Sequence, residues 1–166
     1  SENKFSNKKI KINNSNIFIK NNLSEIISII KISKAILFFD KKKSLNVFNL
    51  KSEVFNIPFN LDYKHKLNLK KNKRIEIEAS DLRLKIINEN FKISDKLTSG
   101  KNNASFVNST INTKYNIKDQ IITFESNNSR LRNSQLNYNG RLAINPFDLD
   151  LKIALENYKI SNLFSA

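Results

Sequence analysis

The sequence predicts an all-β chain: an extended, twisted, mainly antiparallel sheet or groove built from tandem strand repeats, with little helix. Three observations predict it. Apolar and polar residues alternate with period two over many short runs, polar clusters separate those runs, and a proline-centred motif occurs twice.

The alternation is clearest in Lys9-Ile10-Lys11-Ile12, Arg74-Ile75-Glu76-Ile77-Glu78, Leu82-Arg83-Leu84-Lys85-Ile86 and Asp148-Leu149-Asp150-Leu151-Lys152-Ile153. Successive side chains of a strand point to opposite faces, so such runs describe strands with one apolar and one solvated face. Leu23 to Ile32 carries apolar residues at Ile26, Ile27, Ile29 and Ile30 that would also suit a short helix capped by Ser24. β-branched crowding disfavours helix there, and the segment is assigned to strand.

The punctuation falls at Asn13-Asn14-Ser15, Asn21-Asn22, Asp40 to Lys43, Lys71-Asn72-Lys73, Gly100 to Asn103 and Ser126 to Ser129. Asparagine tolerates left-handed backbone and makes Asx-turns, so it substitutes for glycine, of which there are only two. At this spacing, strands of ordinary length number about ten to twelve. The Gly100–Ser109 region reads as a longer loop.

The motif Pro58-Phe59-Asn60-Leu61-Asp62 recurs as Pro146-Phe147-Asp148-Leu149-Asp150, and these are the only two prolines. Alternation continues beyond both copies, through Tyr63, His65 and Leu67 in one and Leu151, Ile153 and Leu155 in the other. Proline cannot donate to a ladder, so each copy describes a strand, a break and a second strand. Residues 1–166 are therefore expected to form a single β-repeat segment, with repeat-like units around 45–68 and 133–156. Strand units that cannot bury their faces alone stack into arrays. The absence of methionine suggests a processed product or an excised fragment of a larger protein.

Composition narrows the function classes. Apolar residues make up 39% of the 166, which favours an open sheet with one apolar face over a two-layer globule. There is no cysteine, so disulfides, thiol catalysis and cysteine-based metal sites are excluded. The longest apolar runs, Ile26 to Ile30 and Ala35 to Phe39, are too short to span a bilayer as helices. The net charge of +14 suits a polyanion partner, but Lys, Asn and Ile share A/T-rich codons, and genomic drift explains the same bias.

Catalytic chemistry is not expected, and neither is a cofactor. Two glycines cannot build a dinucleotide fingerprint or a phosphate loop. The single histidine, His65, shares a strand face with Tyr63 and Leu67 and lacks partners for a metal site. Glu76 with Glu78, and Asp148 with Asp150, place carboxylates about 6–7 Å apart along a strand. Each pair is the polar half of a clean alternation. Lys64, Lys66, Lys70, Lys71, Lys73 and Arg74 form a basic cluster, but no aromatics interleave with it as a stacking platform would require. Nucleic acid is accordingly disfavoured as a partner.

Two stretches, Ile12 to Lys20 followed by Ile30 to Asp40, and Asn139 to Leu149, resemble the AsmA-like proteins of Gram-negative bacteria, the group that includes TamB-like proteins. Ile12 to Lys20 followed by Ile30 to Asp40 looks like the family's short paired strands. Asn139-Gly140-Arg141-Leu142-Ala143-Ile144-Asn145-Pro146-Phe147-Asp148-Leu149 looks like its unit of polar residue and glycine, strand, Pro-Phe and strand. Ser52 stands where the first copy would carry the glycine. The resemblance implies a periplasmic protein of outer-membrane biogenesis, anchored in the inner membrane by a segment outside this chain. It also implies a twisted β-groove that assists phospholipid transfer between membranes.

The residues that would line such a groove and meet phospholipid acyl chains are Phe59, Leu61, Tyr63, Leu67, Phe147, Leu149, Leu151, Ile153 and Leu155. A structural or adhesive β-repeat module of the cell surface is the alternative, and a basic β domain binding nucleic acid a second one.

Overall fold

A computed structural model describes residues 4–67 and 72–157. The chain is all-β, as its alternation requires. Its strands are β1 (Ile10–Lys20), β2 (Ile26–Asp40), β3 (Leu45–Val54), β4 (Ile57–Lys66), β5 (Asn72–Ala79), β6 (Leu84–Ser94), β7 (Leu97–Phe106), β8 (Ser109–Lys118), β9 (Ile121–Leu131), β10 (Ser134–Ala143) and β11 (Asp148–Glu156). The only helical turn among the described residues is a short 3-10 segment, Ser80–Leu82. No helix there is long and apolar enough to cross a membrane. Strand order in space follows strand order in sequence. The chain divides into two compact units, Ser1–Glu89 and Asn90–Ala166.

Short turns make this meander possible. Phe55 and Asn56 both take positive φ, 51° and 60°, and join β3 to β4. Asp119 and Gln120 do the same between β8 and β9, at 49° and 66°. Positive φ at both central residues matches the right-handed twist of the flanking strands. Asn21 builds the β1–β2 turn with its side chain: its Oδ1 accepts the N–H groups of Leu23 (2.9 Å) and Glu25 (3.0 Å). Asp40 Oδ1 accepts the Lys43 N–H at 3.2 Å beyond β2.

Three polar clusters expected as turns lie inside strands instead. Asn13-Asn14-Ser15 sits within β1, with Asn14 at φ 49°. Ser126 to Ser129 belongs to β9, where the register to β10 shifts between Leu136 and Tyr138. Gly100 to Asn103 lies in β7, so the expected loop over 100–109 is a strand followed by a tight turn into β8. The left-handed tolerance that suits asparagine to turns suits it equally to a kink within a long strand. The cluster Lys71-Asn72-Lys73 is described only from Asn72, which opens β5.

A bulge in β2 keeps many of its apolar residues on one side. The β2–β3 register shifts between Ile32 and Lys34, leaving Ser33 unpaired. One extra residue inverts the parity of everything beyond it. Ile30 and Ile32 before the bulge therefore share a face with Ala35, Leu37 and Phe39 after it. Cross-strand pairing carries that face onward through Phe48 opposite Tyr63, Leu50 opposite Leu61, and Leu61 opposite Ile77. The opposite face carries Lys51 opposite Asn60, Asp62 opposite Glu76 and Lys64 opposite Arg74.

The second unit segregates its faces in the same way. One row runs Gly100–Tyr115–Phe124–Gly140–Leu151 across five strands, and the next runs Ile117–Ile122–Leu142–Leu149. The other face holds Lys101 opposite Lys114, Lys114 opposite Glu125, Glu125 opposite Asn139, and Asn139 opposite Lys152.

Candidate functional site

The most extended candidate surface is the apolar face of each unit. In the first unit Phe59, Leu61 and Tyr63 lie on the same face of β4 and are partly buried. Leu67 follows the end of β4, partly buried, with its N–H donating to the Ser44 carbonyl at 3.0 Å. In the second unit Leu149, Leu151, Ile153 and Leu155 share one face of β11 and are exposed. Phe147 lies in the four-residue turn before β11 and is 76% exposed. The sequence alternation extends through Phe147, but the turn takes up residues 144–147 and the strand begins only at Asp148.

Burial separates the two faces. Ile32, Ala35, Asn46, Ser52, His65 and Ala79 are buried, and all lie on the apolar face of the first unit. Ser126, Ser129 and Ser134 are buried on the apolar face of the second. Phe39 is the large member of the buried set, and Val47 is its one buried residue on the polar side.

The second unit has two places where glycine is required by close approach. A Cβ on Gly100 would collide with Cζ of Tyr115, so the Tyr115 ring lies across Gly100. A Cβ on Gly140 would stand 2.6 Å from Phe124 Cζ and 2.5 Å from the Asp150 carbonyl oxygen. Tyr115 and Phe124 face each other across β8 and β9, yet their rings lean outward in opposite directions, toward β7 and β10. A cross-strand aromatic that covers a glycine restores the apolar contact the glycine lacks. Sequence inspection missed these pairings, although the scarcity of glycine was a usable signal.

A polar island interrupts the apolar face of the second unit. Ser129, fully buried, accepts the Asn112 N–H at 2.8 Å and bonds the Ser126 hydroxyl at 2.7 Å. The Tyr138 hydroxyl bonds Thr113 Oγ1. These bonds satisfy the groups that the irregularity in β9 would otherwise leave without partners.

The polar faces carry ion pairs and shallow recesses. Arg74 bridges Glu76 (2.9 Å) and Glu89, and Lys85 reaches Glu76 at 2.7 Å. Hydrogen bonds from Lys85 and then Arg74 hold the Glu76 carboxyl below its usual range, and Glu76 in turn raises Lys85. Lys64 and Lys66, from the basic cluster, are exposed on the polar face; Lys70 and Lys71 lie outside the described residues. A recess of about 500 Å³ in the second unit includes Lys114, Thr123, Glu125, Asn139, Arg141 and Lys152 in its lining, together with Tyr115, Phe124 and Gly140. In the first unit one of about 320 Å³ includes Lys34, Asn49, Lys51, Asn60, Asp62 and Glu78. Their mixed charges suit water and ion pairing. Among the described residues no group of three or more His, Cys, Asp or Glu side chains could hold a metal ion.

No known protein family, no curated protein and no solved structure matches the chain.

Proposed function

We propose that this chain is a non-enzymatic segment of a periplasmic, AsmA-like envelope protein, in which the apolar sheet faces hold phospholipid acyl chains during transfer between membranes. The full-length protein would reach the inner membrane through a segment outside this chain. The single observation that carries the proposal is the separation of faces. Each unit concentrates aliphatic and aromatic side chains on one side of the sheet and most charges on the other, although Phe18, Ile29, Ile36, Phe38 and Val47 share the polar side of the first unit. Large exposed apolar area marks a binding surface, and here Ile10, Ile12, Ile17, Ile19, Leu151 and Ile153 are exposed. An acyl chain needs apolar contact along its length and no directional partner, which such a face supplies.

The test places photo-crosslinking residues at four positions in cells. Leu61 and Leu149 are on apolar faces, and Asn60 and Asp148 are their neighbours on polar faces. Phospholipid adducts concentrated at Leu61 and Leu149 are expected. Equal labelling at all four positions would reject the acyl-chain role and favour a structural or adhesive module.

A further inference from the structure

Residues 4–6 do not continue the β1 ladder but cross the apolar face of the first unit at one end. The Ser6 carbonyl accepts the Phe39 N–H at 2.7 Å. One residue earlier, the Phe5 N–H donates to Asn46 Oδ1 at 2.9 Å. The Phe5 ring then lies 6.4 Å from Tyr63, centre to centre, and Lys4 Nζ sits 5.2 Å over the Phe39 ring. Phe39, Asn46 and Tyr63 are on three successive strands, and all belong to the apolar face. The crossing therefore spans β2 to β4.

Asn46 is the informative residue. It is 2% exposed at this end of the apolar face, directly opposite Phe39 and His65. A buried amide is costly on such a surface unless it is bonded. Its side chain receives a backbone N–H from a segment forty-one residues away in sequence. Phe5 meanwhile places a phenyl ring against Tyr63, as an apolar ligand on that face would.

We infer that Lys4-Phe5-Ser6 is a built-in strap that closes this end of the apolar face and competes with an apolar ligand for the surface around Phe39, Asn46 and Tyr63. The ligand identity rests on the acyl-chain proposal; the closure itself does not. The strap is held by one backbone–backbone hydrogen bond, one bond from its backbone to the Asn46 side chain, the Phe5–Tyr63 ring contact and the Lys4 ammonium over Phe39, which leaves it within reach of displacement by a ligand that buries comparable apolar area.

Two probes on the intact chain separate these claims. The first is the apolar dye anilinonaphthalene sulfonate, with Phe5→Ser and Phe5→Leu variants. Phe5→Ser raises dye fluorescence severalfold, whereas Phe5→Leu, which keeps an apolar anchor, stays near the unsubstituted chain. Circular dichroism and thermal melting confirm that both remain folded, since Phe5 lies outside the strands. Equal dye binding by all three proteins overturns the strap. The second probe is phosphatidylcholine carrying a diazirine in its acyl chain, with adducts mapped by mass spectrometry. Phe5→Ser shifts adducts toward Phe39, Phe48 and Tyr63, and an unchanged adduct map overturns the competition. Absence of adducts in both units of both proteins would reject the acyl-chain proposal, while the dye result would still decide the closure.

Discussion

The two copies of the proline motif form two hairpins that differ in instructive ways. In β3–β4, a two-residue turn places Pro58 inside the second strand, opposite Glu53. In β10–β11, a four-residue turn absorbs Pro146 and Phe147, and the second strand begins later. Both hairpins still direct their leucines to an apolar face: Leu61 opposite Leu50, and Leu149 opposite Leu142. β4 has β3 on one side and β5 on the other, so Leu61 is flanked twice. Among the described residues β11 pairs only with β10, and Leu149 remains 49% exposed. A short repeated sequence thus sets which face a residue occupies, while the number of neighbouring strands sets how much of it is buried.

The largest expected effect uses that difference directly. Leu61→Asp forces a carboxylate between Leu50 and Ile77 and is expected to cost about 3 kcal/mol or more. Leu149→Asp, at the exposed hairpin, is expected to stay within about 1 kcal/mol. Urea denaturation of the two variants checks this. Equal losses would mean that the two leucines are packed alike and would break the comparison.

Next come the glycines of the second unit. Gly140→Ala must displace the Phe124 ring and meets the Asp150 carbonyl, with an expected cost of about 1–3 kcal/mol. Gly100→Ala meets only the Tyr115 ring within its closest contacts, so its cost is expected to be smaller. Thermal melting orders the two. A greater loss for Gly100→Ala would contradict the assignment of backbone contact to Gly140 alone. Ser129→Ala removes an acceptor from the Asn112 N–H and a partner from Ser126. It is expected to cost about 1–2 kcal/mol, read from the same melts.

The smallest effect belongs to the ion pairs. Arg74→Ala is expected to cost about 0.2–1 kcal/mol, because its partners are partly solvated. Glu76 has a lowered carboxyl pKa in the folded state. Its stabilisation is therefore fully present above the ordinary carboxylate range and is lost as pH falls through the lower folded value. Glu76→Gln should remove that part of the acid dependence in pH-resolved melts. An unchanged acid limb would show that the pairing contributes nothing.

Alternation made the strand class and the direction of Leu61, Tyr63, Leu149 and Leu151 legible, because period two fixes the face once a residue is in a strand. The turns were less legible. Asn14 and the Ser126–Ser129 cluster carry the residue types of turns yet serve as irregularities within strands, and only the pairing of neighbouring strands distinguishes the two uses. Some true turns have unsuited residues: Phe55 and Val107 take positive φ, at 51° and 52°. Bulky side chains are disfavoured there, so the turn is imposed by the strands on either side. Nothing local in Lys4-Phe5-Ser6 indicates that it folds over Asn46, since that contact depends on residues far away in the chain.

The central claim, that function resides on the apolar faces and not on the basic ones, is tested most directly by lipid recovered with the purified chain. Phospholipid is extracted and quantified by mass spectrometry from the unsubstituted protein, from a Lys64→Glu, Lys66→Glu variant, and from a Leu149→Asp, Ile153→Asp variant. Lys64 and Lys66 point to the polar side, whereas Leu149 and Ile153 are exposed on the apolar side, so each variant should fold. Lipid recovery unchanged by the lysine reversals and lost with the two aspartates is the predicted result. Recovery lost with the lysine reversals and retained with the aspartates would contradict it, and would assign the function to recognition of an anionic partner by the polar face.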